Sequence, residues 1–589
     1  MLMKKLLDLL TEEVGSAFEK AGYKKEAGRV SVSNRPDLCE YQCNGAMALA
    51  KECKCAPKMI ADAVVEVLKD STVFDSVEAV MPGFINMNIS SDFLAKYVAE
   101  MAEDAKYGVE LPESKTIIVD YGGPNIAKAL HVGHLRPAII GESIKRILKY
   151  MGHNVIGDVH MGDWGKPMGL VMTEIQCRQP DLPYFDESFT GEYPKEPPFT
   201  VKDLEEIYPT ASAKSKEDPD YNARALEATL KLQSGVRGYR ALWDHIINVS
   251  VNDMKRIYEK LHVDFDLWNG ESTVQYLIPD MVKEMKESGV AYESDGAIVI
   301  DVKKDTDTKE IPPCIVLKSD GASLYNTTDL ATIKERVAKY DPAQMIYITD
   351  KRQDLYFEQV FRAAVKAGLV SDKVTLSHIG FGTMNGKDGK PFKTRDGGVM
   401  RLEDLIDDIQ NEMYNKIKEN KDIDDAEARQ TADIVGLSAL LYGDLSNQAV
   451  KDYIFDMERF ISFEGNTGPY ILYTIVRIKS IIAKYQAQGG DISALKIGVP
   501  VNNSEKDLMK ALSSFSQVME GAEAELAPHR ICAFIYDLAN ALNSFYHETK
   551  ILSEEDEVKK GEYIALINFT KEMLETCIDM LGFSAPDRM

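Results

Sequence analysis

At 589 residues the chain is too long for one hydrophobic core, so about three or four domains are expected. Hydrophobic residues make up 44% and charged residues 28%, as in ordinary globular proteins, and no apolar run is long enough to span a bilayer. The net charge of −25 argues against non-specific nucleic-acid binding, which needs clustered Lys and Arg, but leaves room for a basic stripe on one face.

Residues 1–113 read as an α+β module. Helices are expected at about 3–20, 40–53 and 56–69, followed by a β-like stretch, Val73–Ile89, with Pro82-Gly83 as its turn. A helix Asp92–Ala105 then leads into the linker Tyr107–Lys115. The first residues hold Asp8, Glu12 and Glu13 and no small-residue cleavage site, so they read as an amphipathic helix, and a cytoplasmic location is expected. Cys39, Cys43, Cys53 and Cys55 fall within 17 residues. Their C-x3-C and C-x-C spacings differ from zinc knuckles, which leaves both a zinc site and plain helical thiols open, with the thiols favoured.

Residues 114–425 alternate strands and helices, with insertions at about 174–262 and 280–320. The strand Thr116–Tyr121 precedes His131-Val132-Gly133-His134 and a helix with Ile139, Ile140, Ile144, Ile147 and Leu148 at helical spacing. Strand Asn154–His160 runs into Met161-Gly162-Asp163-Trp164-Gly165. Residues 180–222 read as an irregular stretch, and helices are expected at 223–262. Strands Gln344–Thr349 and Val374–Phe381 flank a helix from Gln353 to Ala367. The fold class this predicts is multidomain α/β: a Rossmann-like, doubly wound parallel sheet with insertions. Residues 426–589 carry helical apolar spacing throughout and predict an α-helical bundle.

The chemistry concentrates at the H-x-G-H segment. A helix N-terminus after a strand attracts phosphate, Gly133 lets a nucleotide approach the backbone, and His131 and His134 can donate to phosphate oxygens as charge develops. The glycine-rich loop Gly382–Gly398 follows a late strand and carries Lys387, Lys390, Lys393 and Arg395, which suits closure over a polyphosphate. Asp120, Glu271, Asp329 and Gln353 fall near strand ends, and Tyr325 and Asp329 are four apart, on one helix face. Carboxylates converging on one pocket suit a cationic ligand, and a guanidinium above all.

These motifs together resemble the arginyl-tRNA synthetases, a family of class I aminoacyl-tRNA synthetases, over nearly the whole length. Asp120–Lys128 with His131–Arg136 resembles the extended first signature of that family, and His160–Gly165 its second-strand motif. Lys390-Pro391-Phe392-Lys393-Thr394 stands in place of the usual K-M-S-K-S. The C-terminal helices, with Glu464–Thr467 and the final Arg588-Met589, are similar to an anticodon-binding bundle, and the first 110 residues to a module that binds the tRNA elbow.

The resemblance implies roles residue by residue. His131, His134 and Lys393 would bind ATP phosphates and stabilise the transition state, with Lys390 and Lys128 assisting and Gly133 lining the nucleotide. Asn125 and Gln353 would hold the α-amino and carboxylate groups, with Asp120 near the ammonium. Glu271, Tyr325 and Asp329 would read the guanidinium. It also implies ATP with Mg²⁺ as substrate, no tightly bound protein metal, L-arginine and tRNA(Arg) as partners, a monomer, no membrane, and adenylate formation that needs bound tRNA. Two rivals stay open at this point. One is a class I synthetase for another amino acid, and the other is a catalytically silent tRNA-binding relative.

Overall fold

A computed structural model describes residues 3–390, 392, 400–419 and 423–589. Contacts divide the chain into one unit of Met1–Pro112, Ser462–Asp579 and Ser584–Met589, and another of Glu113–Ile461 and Met580–Phe583.

The first unit opens with α1 (Leu6–Lys20), which buries Leu6, Leu10, Val14, Ala17 and Phe18 at helical spacing. Then come β1 (Val30–Val32), β2 (Tyr41–Cys43), α2 (Gly45–Cys53), α3 (Pro57–Leu68), β3 (Phe74–Val80), β4 (Phe84–Ile89) and α4 (Ser91–Glu103). The strands form an antiparallel sheet in the order β1-β2-β4-β3. The helix expected from residue 40 is thus preceded by a strand: Tyr41–Cys43 pairs with β1 and β4, burying Tyr41 and Cys43 on one face. Cys39 donates to Ser33 Oγ and Cys43 to the Ala27 carbonyl, whereas Cys53 is exposed. Among the described residues, no three His, Cys, Asp or Glu side chains group as a metal site.

The second unit runs β5 (Thr116–Asp120), α5 (Leu135–Tyr150), β6 (Asn154–Asp158), α6 (Lys166–Arg178), α7 (Val201–Glu217), α8 (Pro219–Gln233), α9 (Arg237–Lys260) and α10 (Ile278–Glu287). A small antiparallel sheet, β7 (Tyr292–Ser294), β8 (Ala297–Ile300) and β9 (Cys314–Leu317), follows. Next are α11 (Tyr325–Tyr340), β10 (Gln344–Asp350), α12 (Asp354–Lys366), β11 (Thr375–Phe381), β12 (Met384–Asn385), α13 (Leu402–Lys418), α14 (Asp425–Leu445), β13 (Tyr453–Ile454) and α15 (Met457–Phe460).

Its main sheet is parallel, in the order β11-β10-β5-β6. Covered on both faces, β5 buries Ile117, Ile118 and Val119 in an unbroken run. Chain order reverses between β5 and β10, which opens a ligand crevice at their carboxyl ends. Parallel bridges Asp158↔Leu267 and Met161↔Gly270 carry the segment before Glu271 along the β6 side.

Two sequence expectations change here. The segment 180–222, expected to be irregular, contains α7 and the start of α8. Thr200 and Asp203 form a reciprocal capping box, Leu204, Ile207 and Ala211 supply a buried face, and Asp218 caps α8 ahead of Pro219. The second unit also continues past residue 425 to Ile461, because α14 packs on α13 and α5.

The remaining helices, α16 (Gly468–Ala487), α17 (Asn503–Ser513), α18 (Phe515–Glu525), α19 (Pro528–Glu548) and α20 (Glu557–Met580), belong to the first unit but for the last residue of α20. There α17 reaches the N-terminal module through Lys506 and Lys510, which both pair with Glu40, at 3.3 and 3.0 Å. Among the described residues, no helix is long and apolar enough to cross a membrane.

One buried pair ties α5 to α14. Arg136 Nε donates to Asp444 at 3.0 Å, with side chains 2% and 0% exposed. Arg136 also donates to the carbonyls of Gly382 and Lys451, and Tyr453 OH to Asp444. Removing one partner strands a buried charge. Asp444→Ala is therefore expected to destabilise the chain by about 3–5 kcal/mol, seen as a lower denaturant midpoint. Arg136→Met with Asp444→Leu is expected to cost less than Asp444→Ala alone.

Candidate active site

The H-x-G-H segment forms a 3-10 turn, Val132–His134, that enters α5. Gly133 N–H donates to His131 Nδ1 (3.1 Å), and His131 N–H donates to His134 Nδ1 (3.0 Å). The two rings lie 4.0 Å apart. Burial holds both imidazoles below their ordinary pKa, helped at His131 by Lys128 and at His134 by His131; His134 is pushed down to about 3. Both rings are thus neutral at pH 7, and since each Nδ1 accepts, each Nε2 carries the proton. The result is a pair of neutral N–H donors at a helix N-terminus. A Cβ on Gly133 would come within 2.8 Å of the His131 ring, so only glycine leaves this arrangement undisturbed.

The chain after the signature loop pairs back onto the same turn. Val132 N–H donates to the Met400 carbonyl, Leu402 N–H to that of Leu130, and His131 forms a bridge with Arg401. On the other side, Phe392 N–H donates to the Met384 carbonyl and Gly386 N–H to that of Lys390. Both flanks of the loop are anchored at the histidine turn or at β12. Lys390 is exposed on its hairpin, while Lys393 lies outside the described residues. Between these flanks opens a cavity of about 310 Å³, lined by His131, Gly133, Arg136, Gly382, Met384 and Phe392. A larger cavity, about 800 Å³, belongs to the first unit and mixes Lys5, Arg29 and Lys510 with Asp8, Glu26 and Glu40; none of the expected site residues lines it.

At the strand ends the acidic residues converge. Glu271 is pushed up to about 8 by burial, then by the charges of Asp163 and Asp329, so every influence acts in one direction. Burial also raises Asp329, against a hydrogen bond from Tyr356 OH. It raises Asp163 too, although Ser272 donates to that carboxylate from its N–H (2.8 Å) and its hydroxyl. A Cβ on Gly270 would strike the Asp163 carboxylate at 2.5 Å, so glycine permits that packing. Tyr325 begins α11, 61% exposed, and its phenol feels the charge of Glu271. The structure brings Asp329 and Tyr325 within electrostatic reach of Glu271, whereas sequence spacing links only Tyr325 and Asp329.

Of the other expected residues, Asp120 is linked to this recess, through its charge on Asp329. Asn125 bridges Gly162, and a Cβ there would lie 2.3 Å from Asn125 Oδ1, so only glycine at 162 leaves room for the amide. Gln353 is exposed on the turn after β10. Asp120 is engaged from within, since the buried Arg336 donates to Asp120 (2.6 Å) and Asp158 (2.7 Å). Lys128 places Nζ 4.4 Å from the centroid of the Tyr208 ring.

Sequence reasoning passed over Asp163, Tyr356, Arg336 and Tyr208 as site residues. Asp163 had a signal, being in a glycine-rich turn at a strand end. Tyr356 sits three residues past Gln353 but meets Asp329 only through the packing of α12 on α11.

Comparisons with known proteins identify the family. Residues 97–457 match the model of the class I (R) tRNA synthetase catalytic domain, 4–89 the arginyl tRNA synthetase N-terminal domain, and 471–589 the DALR anticodon-binding domain. The chain is 64% identical to an arginine–tRNA ligase of Agathobacter rectalis and 56% identical to one of Alkaliphilus oremlandii, with 100% of each chain covered in both cases. Its fold is similar to the arginyl-tRNA synthetases of Plasmodium falciparum (TM-score 0.81, 22% identity, 100% of each chain) and Thermus thermophilus (TM-score 0.76, 21% identity, 99% of this chain and 100% of that one). With matches that run from the N-terminal module through the histidine turn to the last helix, the chain belongs to the arginyl-tRNA synthetase family of class I tRNA synthetases.

Proposed function

We infer that this chain is an arginine–tRNA ligase. It activates L-arginine with ATP to arginyl-adenylate, releasing pyrophosphate, and passes arginine to the terminal ribose 2′-OH of tRNA(Arg), releasing AMP. The observation that carries the reading is the acidic recess at Glu271, Asp163 and Asp329, in the same unit as a helix start bearing two neutral histidine donors. A guanidinium supplies the cationic partner that Glu271 lacks and matches carboxylates with parallel N–H donors.

In the first step an arginine carboxylate oxygen attacks the α-phosphorus in line, and the bond to pyrophosphate breaks. The protein supplies position and charge stabilisation rather than a nucleophile. His131 and His134 donate from Nε2 to phosphate oxygens, and being neutral they need no proton to leave. Lys128 adds charge from the strand side, and Lys393 and Lys390 from the loop. Gly133 lets the nucleotide reach the turn. Asn125 and Gln353 hold the amino and carboxylate groups, and Asp120, half-compensated by Arg336, faces the ammonium. Tyr325 closes over the guanidinium held by Glu271 and Asp329. In the second step the 2′-oxygen bonds to the arginyl carbonyl carbon, AMP departs and the hydroxyl proton is lost. Magnesium enters with ATP as part of the substrate. The reading includes action as a monomer in the cytoplasm.

Charging assays on tRNA test this reading. Arginine is expected to be charged and lysine rejected, since a short ammonium leaves carboxylates unpaired. His134→Ala is expected to lower kcat by about 10²–10³-fold. Gly133→Ala, which displaces His131, is expected to lower kcat while the chain stays folded by circular dichroism. Glu271→Gln is expected to raise the arginine KM by about a hundredfold or more while sparing the ATP KM. Equal charging of a neutral amino acid, or an unchanged arginine KM in Glu271→Gln, would overturn the reading.

A further inference from the structure

Helix α7 lies in an insertion, yet it touches the site at two places one turn apart. Glu205 pairs with Arg401 at 3.2 Å, and Arg401 belongs to the segment that pairs with His131. Three residues on, Tyr208 presents its ring to the Lys128 ammonium at 4.4 Å. Positions three apart share a helix face, so one surface of α7 meets both the histidine turn's partner strand and Lys128. Tyr208 is also close enough to Tyr325 to be felt by its phenol. The ring is thus near both Lys128 and Tyr325.

The chemistry of the partner matters. A carboxylate beside Lys128 would neutralise its charge and repel incoming phosphate. An aromatic face attracts the ammonium through its quadrupole yet accepts none of its protons. Lys128 keeps its charge and its three N–H donors while its long, flexible stem is restrained. Among the described residues, no carboxylate lies within ion-pair distance of Lys128, and its charge reaches both His131 and His134.

We propose that Tyr208 is a positioning residue for Lys128, holding the ammonium beside the histidine pair, ready for the ATP phosphates; the proposal rests on the phosphate role of Lys128 given above. The insertion helix is then part of the active site rather than a surface ornament.

The test is a double-mutant cycle on the full-length chain, followed by tRNA charging with separate kcat and KM values for ATP and arginine. Tyr208→Ala is expected to lower kcat/KM for ATP by about tenfold with the arginine KM unchanged, and Tyr208→Phe, which keeps the ring face, to stay within about twofold of the parent. In a Lys128→Ala background, Tyr208→Ala is expected to add nothing. Parent-like activity in Tyr208→Ala, an equal loss in the Lys128→Ala background, or a loss confined to the arginine KM would overturn the proposal. Parent-like activity of Lys128→Ala alone would overturn the phosphate role of Lys128, and the proposal with it.

Discussion

The constraint on which the rest of the site depends is carboxylate crowding at the strand ends. Burial opposes the ionisation of Glu271, Asp163 and Asp329, and at Glu271 the charges of Asp163 and Asp329 add to it. Such a cluster costs stability in the empty protein. It is held by groups that touch it from several directions: Ser272 on Asp163, Tyr356 on Asp329, and the glycine at 270 that lets the backbone pass. A cationic ligand relieves the repulsion, so specificity and binding energy come from the same source. Ligands that leave the acids unpaired are excluded for the same reason.

The proposed nucleotide side works by the opposite device. Its two histidines are neutral, locked by backbone donors into one tautomer and set at a helix start, where anions are favoured. A preorganised donor that carries no full charge stabilises charge as it develops and lets pyrophosphate go. Two buried arginines frame these halves from behind. Arg336 joins the ends of β5 and β6 through Asp120 and Asp158, and Arg136 joins the histidine helix to the base of the signature loop at Gly382. The recess and the donors are thus fixed to one sheet.

Features set by neighbours in sequence were legible. The strand, the H-x-G-H turn and the amphipathic helix follow one another directly, and Tyr325 and Asp329 sit four apart on α11, so local periodicity finds them. Features set by packing were not. Asp163 meets Ser272 across 109 residues, and Arg336 reaches Asp120 across 216. No period encodes such a meeting. Tyr208 was lost because Pro, Asp and Glu density made 180–222 read as irregular, although a capping box at Thr200 was present in the sequence. The short strand at Tyr41 was masked by the helical spacing that begins just beyond it. The unit boundary at Ile461 depends on α14 packing against α13 and α5, which helical spacing alone does not reveal.

A recess kept partly protonated by burial would select a guanidinium by releasing a proton as the ligand binds. Proton exchange on arginine binding tests it most directly, by titration calorimetry at pH 7 in buffers of different ionisation enthalpy. With Glu271 near 8 in the empty site and ionised against the guanidinium, about one proton per arginine is expected to be released, fading above pH 9 and absent in Glu271→Gln. Binding with no proton released, or with a proton taken up, would contradict it.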